Sequence, residues 1–86
     1  MSLCLEWSSE ATKSTRRLDR PTRERIIAAL EELARTRYGD MIRLQPPLPG
    51  YRLRVGGWRV LLDIDTEAGV ILVHDVQPRG RAYRRQ

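Results

Sequence analysis

The chain has no phenylalanine, one cysteine, one histidine and one lysine among its 86 residues. A single cysteine, Cys4, excludes a disulfide within the chain, which suits a reducing cytosol. With one Cys and one His there is no ligand set at metal-binding spacing, so neither a metal nor a cofactor is expected. His74 falls in the middle of an apolar run, where a partly buried structural histidine is the ordinary reading and a proton-transfer role the alternative. No apolar run approaches the roughly 18 residues of a membrane span. No secretory leader pattern opens the chain, and Met1 to Leu3 carry no functional weight here. A cytoplasmic protein with no membrane partner is the expectation. Internal repeats, long linkers and phosphate-cradling glycine loops are missing too, so residues 1–86 read as a single domain.

Arginine, by contrast, is abundant. Fifteen Arg and one Lys face eleven acids, a formal net charge of +5. Such a balance suits nucleic acid, an anionic surface or an acidic protein partner. Guanidinium also clamps phosphate bidentately while staying protonated, so it stabilises anions well and serves poorly as a base.

"LCLEW" reads as a short first strand, with Cys4 a small apolar filler. Ser8 or Ser9 can cap a weakly amphipathic helix to about Leu18, in which Ser14 and Thr15 occupy positions suited to an apolar residue. Asp19 caps a second helix with Pro21 in its first turn, and Ile26, Ala29, Leu30 and Leu33 form its apolar stripe. Gly39 stands just past it as a stop signal. The proline-rich "DMIRLQPPLPG" predicts a loop that covers the core edge with Ile42, Leu44 and Leu48. Strands follow at about 51–55 and 58–64, then a turn at "DTEAG" and a strand from Val70 to Val76. Grouped helices and grouped strands imply an α+β fold, with two helices on one face of a mostly antiparallel four-stranded sheet.

The hairpin "YRLRVGGWRV" carries the functional signal. A two-residue Gly56-Gly57 turn sets Arg54 opposite Arg59 and sends Tyr51, Leu53, Val55, Trp58, Val60 and Leu62 to the core face. Arg52, Arg54 and Arg59 then share the other, uncovered face. Like charges directly opposite are destabilising, so either the side chains splay into solvent or an anion belongs there. Arg79 and Tyr83 follow the last strand closely enough to fold back beside them, with Arg81 and Arg84 extending the basic tail. Guanidinium groups beside an aromatic ring suit single-stranded RNA. Glu31, Glu32, Asp63 and Asp65 read as solvated faces or hairpin ends.

"LDRPTRERIIAAL", "YRLRVGGWRVLLDID", a valine-rich strand and "PRGRAYR" together resemble the RelE/ParE superfamily of bacterial toxins, from "EWSSEA" to Tyr83. The resemblance implies this same fold and a cognate antitoxin that wraps the toxin, in a toxin–antitoxin hetero-oligomer. RelE-like members enter the ribosomal A site and cut mRNA by attack of the 2′-hydroxyl on the adjacent phosphate. The family's catalytic basic positions on the hairpin fall on Arg52, Arg54 and Arg59, its tail arginine on Arg79 and its tail tyrosine on Tyr83; the expected catalytic set here is Arg54, Arg59, Arg79 and Tyr83, with Arg52, Arg81 and Arg84 as RNA contacts. On that analogy Arg54 and Arg59 stabilise the phosphorane, Arg79 serves the leaving oxygen and Tyr83 orients the nucleotide. Several members carry Lys at the Arg52 and Arg54 positions. With Arg at both, the general base passes to His74 or Tyr83, or positioning carries the reaction. The alternatives are a ParE-like inhibitor of DNA gyrase and a non-catalytic, antitoxin-binding co-repressor.

Overall fold

The computed structural model describes residues 2–48 and 50–78; Arg79, Arg81, Tyr83 and Arg84 lie outside the described residues. The chain runs β1 (Cys4–Trp7), α1 (Ser9–Arg16), α2 (Arg20–Thr36), β2 (Met41–Arg43), β3 (Tyr51–Val55), β4 (Trp58–Asp65) and β5 (Val70–Pro78). The strands form one sheet in the order β1-β5-β4-β3-β2. Every pairing is antiparallel except β1 with β5. This is the expected α+β class with one strand more. β2 arises because Met41–Arg43 pairs with β3 before the prolines begin, and three residues are too few to show a period.

Both helices start where their caps predict. Ser8 Oγ accepts the Ala11 N–H at 3.0 Å, and Asp19 accepts the Thr22 N–H at 3.3 Å with Pro21 in the first turn. The left-handed residue that ends α2 is Arg37, at φ 67°, whose N–H returns to the Leu33 carbonyl; Gly39 lies two residues further on. Thr15 is buried on α1 because its hydroxyl donates to the Ala11 carbonyl at 2.7 Å, satisfying itself within the helix.

The core joins Ile26, Leu30 and Leu33 of α2 to Leu53, Val60, Leu62, Ile71 and Val73 of the sheet, each at 1% exposure or less. Tyr51, Val55 and Trp58 pack at its margin, as the alternation predicts. Ile42 and Leu48 do not cover it. They are 44% and 56% exposed: Ile42 sits on the edge strand β2, paired with Arg52 on the face away from the helices, and Leu48 lies in the loop that follows.

Candidate functional site

The β3–β4 hairpin has the predicted register, with Val55 across from Trp58, Arg54 from Arg59 and Leu53 from Val60. Gly56 adopts φ +59°, the left-handed conformation that tight hairpin turns require, and a Cβ there would lie 2.7 Å from Arg25 Nη2. Leu53, Val60 and Leu62 point to the helices, so Arg52, Arg54 and Arg59 share the opposite face.

That face is not uncovered at all three. Arg54 is exposed, and its Nε donates to Asp40 Oδ2 at 2.9 Å. Arg52 and Arg59 retain only 8% and 4% of their surface. Each lies on an inner strand with neighbours on both flanks: Arg52 between Ile42 and Leu61, Arg59 between Arg54 and Gln77. Neither side chain splays into water. A solvated basic surface is therefore excluded for Arg52 and Arg59. At such burial the charge of each guanidinium acts through a lower dielectric than it would in bulk water.

Farther along the same face the sign changes. Glu6, Asp63 and Asp65 border a hollow of about 410 Å³ over β1, β5 and β4. Asp63 is more than a solvated strand residue. Its Oδ1 accepts the Gly50 N–H at 2.8 Å, and its Oδ2 lies 2.7 Å from His74 Nε2. The hydrogen bond from His74 is the main reason its carboxyl is held below the ordinary carboxylate range; burial opposes it, and the Gly50 N–H adds a lesser lowering.

His74 reaches this position through an irregularity of the β4–β5 pairing. Leu61 pairs with Asp75 and Leu62 with Val73, so His74 is the extra residue of a bulge. The structural reading of this histidine holds in that it is partly buried and paired. The sequence signal for the bulge is a phase slip, because the core-facing residues of β5 are Ile71 and Val73 before it and Val76 after it. The Asp40–Arg54 pair had no such signal, since its partners lie fourteen residues apart across a loop.

The helix side carries a separate groove of about 400 Å³ between α1, α2 and β1, floored by Leu5, Trp7 and Ile27. It lies on the other side of the sheet from the arginines. Among the described residues no group of His, Cys, Asp and Glu is placed to hold a metal ion, and no helix is long and apolar enough to cross a membrane.

Residues 5–83 match the family model of the ParE toxin of type II toxin–antitoxin systems, parDE. No curated protein matches the sequence. Among solved structures, the RelBE2 toxin–antitoxin complex of Mycobacterium tuberculosis superposes with a TM-score of 0.79 at 18% identity, covering 92% of this chain and 100% of its own. The archaeal RelE–RelB complex of Pyrococcus horikoshii OT3 gives 0.72 at 25% identity, covering 94% and 99%. The isolated RelE toxin of E. coli gives 0.74 at 21% identity, covering 99% and 88%.

Proposed function

Because this chain belongs to the family of ParE toxins of type II toxin–antitoxin systems, within the RelE/ParE superfamily, we propose that it acts as a ribosome-dependent mRNA endoribonuclease restrained by a cognate antitoxin. The observation that carries this reading is the clustering of Arg52, Arg54 and Arg59 on one face of the β3–β4 hairpin, two of them sequestered from water. A backbone phosphate laid across this end meets the exposed Arg54 above the largely buried charges of Arg52 and Arg59, while the carboxylates of Glu6 and Asp65 disfavour it farther along the sheet. The strand is thereby given a place on the sheet.

The chemistry follows from that arrangement. As the 2′-oxygen attacks the adjacent phosphorus, the phosphorane gains negative charge, and cations already in position stabilise it without reorganising. Arg54 and Arg59 take that role, and Arg52 holds a neighbouring phosphate. Arg79 beside the leaving 5′-oxygen, Tyr83 against the nucleotide, and Arg81 and Arg84 on the RNA backbone complete the assignment. The products are a 2′,3′-cyclic phosphate and a 5′-hydroxyl. The antitoxin partner silences the toxin by covering this face.

A second reading, inhibition of DNA gyrase by protein contact, draws support from the low exposure of Arg52 and Arg59, since a docking surface needs fewer accessible cations. Induction in a bacterial host separates the two. The nuclease reading expects mRNA 5′ ends inside A-site codons of translating ribosomes and unchanged plasmid supercoiling. Growth arrest with altered supercoiling and no such ends supports the gyrase reading instead.

A further inference from the structure

An arginine face supplies charge but no proton acceptor, and attack by a 2′-hydroxyl requires one. Among the described residues, His74 is placed to provide it. The imidazole stands at the β5 bulge with 32% of its side chain exposed to solvent. Its backbone is fixed from one side, where the Ser8 hydroxyl donates to its carbonyl at 2.7 Å. Its ring is fixed from the other, where Nε2 meets Asp63 Oδ2 at 2.7 Å.

The tautomer follows from the partner. Asp63 is ionised at neutral pH and accepts only, so the shared proton resides on Nε2. In the neutral ring this tautomer leaves the lone pair on Nδ1, the atom that can accept a proton. The Gly50 N–H on Oδ1 keeps the carboxylate turned toward the ring, and any larger residue at Gly50 would set a Cβ 2.6 Å from that oxygen.

The location fits as well. Leu61 of β4 has Arg52 on one flank and Asp75 on the other, and His74 precedes Asp75. Two strand spacings, roughly 10 Å, separate the His74 backbone from that of Arg52. That separation is of the order of one nucleotide step, and His74 and Arg52 flank Leu61 on the same sheet face. The charged groups disposed around His74 are Asp63 and Arg59 on β4, Asp75 on its own strand, Arg52 on β3 and Glu6 on β1. The neighbouring helix α1 meets this part of β5 through the hydroxyls of Ser8 and Ser14, the latter donating to Asp75 at 2.7 Å.

We propose that His74 is the general base of the cleavage reaction and Asp63 its positioning residue, an assignment that rests on the nuclease reading above. Nδ1 takes the 2′-hydroxyl proton as the 2′-oxygen bonds to phosphorus and the phosphorus–O5′ bond breaks. The departing 5′-oxygen takes a proton from water, and the imidazolium returns its own to solvent.

The test compares full-length wild type, His74→Gln and Asp63→Asn for cleavage of mRNA on programmed ribosomes from about pH 5.5 to 9, with thermal melting alongside. Glutamine keeps an N–H for Asp63 and removes the base. The expected result for His74→Gln is a fall in kcat of about 100-fold or more with KM little changed, and loss of the decline in rate on the acidic side. Asp63→Asn should reduce kcat less and displace that acidic decline, which a purely structural residue would leave in place. A His74→Gln protein that cleaves within a few-fold of wild type, with the same acidic decline, overturns the assignment while leaving the nuclease reading intact. Wild type that makes no cut on ribosomes overturns both. Should His74→Gln fail to fold, Asp63→Asn decides: an unmoved acidic decline overturns the proposal.

Discussion

Arg54 and Arg59 stand directly across from each other in the β3–β4 hairpin, one exposed and paired with Asp40, the other at 4% exposure. Two cations in register on neighbouring strands repel, and the fold tolerates them without separating them. On the proposed nuclease function the pair is an anion site in which Asp40 holds Arg54 until a phosphate replaces it.

Asp40→Asn is therefore expected to tighten RNA binding by a few-fold, most clearly at low salt. The Arg54–Asp40 contact is half exposed, and such pairs add at most about 1 kcal/mol to stability. The Arg54 N–H still donates to the Asp40 backbone carbonyl, so β3 keeps its anchor. Filter binding of single-stranded RNA across a salt series checks this; unchanged or weaker binding contradicts a competing role for Asp40.

The Asp63 carboxyl titrates below its ordinary value because His74 and the Gly50 N–H favour its charged form. A carboxylate with a depressed folded pKa contributes stability that is present above the unfolded value, 3.8, and is lost as pH falls through the folded value. Asp63→Asn should consequently show a shallower decline in stability than wild type below about pH 5. Urea melts at a series of acidic pH values measure the slope, and parallel slopes would refute the pairing.

Ser8 serves two partners, accepting from Ala11 N–H and donating to the His74 carbonyl. Ser8→Ala removes the cap of α1 and the tie between that helix and β5. A loss of about 1–2 kcal/mol in denaturant melts is expected. A change near zero would mean that water replaces the hydroxyl on both sides.

Leu30 is fully buried between α2 and the sheet. Leu30→Ala should cost about 2–5 kcal/mol, a large part of the stability of so small a domain. Circular dichroism during urea titration gives the value, and a loss below 1 kcal/mol would place Leu30 outside the core.

How far the sequence carried the fold depends on the length of each signal. The hairpin register was legible because a Gly-Gly turn and strict alternation leave one pairing, and slipping by a residue would send Leu53 and Val60 to water. The α2 stripe, Ile26 to Leu33, was legible over about two turns, with a cap at Asp19. β2 was not, because its three residues have no measurable period and the adjoining prolines argue for a loop. The bulge at His74 hid inside a valine-rich run, where one extra residue reads as an irregularity. Alternation identified the face of Arg52 and Arg59 but not their burial. Burial depends on which side chains lie alongside, and the strand neighbours of these two arginines come from β2, β3, β4 and β5, up to eighteen residues away in sequence.

The most direct test of the arginine face as a phosphate-cleaving site is the single-turnover rate of A-site mRNA cleavage by wild type and by Arg59→Ala, both verified as folded by circular dichroism. Loss of one preorganised charge at the phosphorane predicts a rate lower by about 100- to 1,000-fold. Equal rates from the two folded proteins would contradict the account and leave the facing arginines as a docking surface.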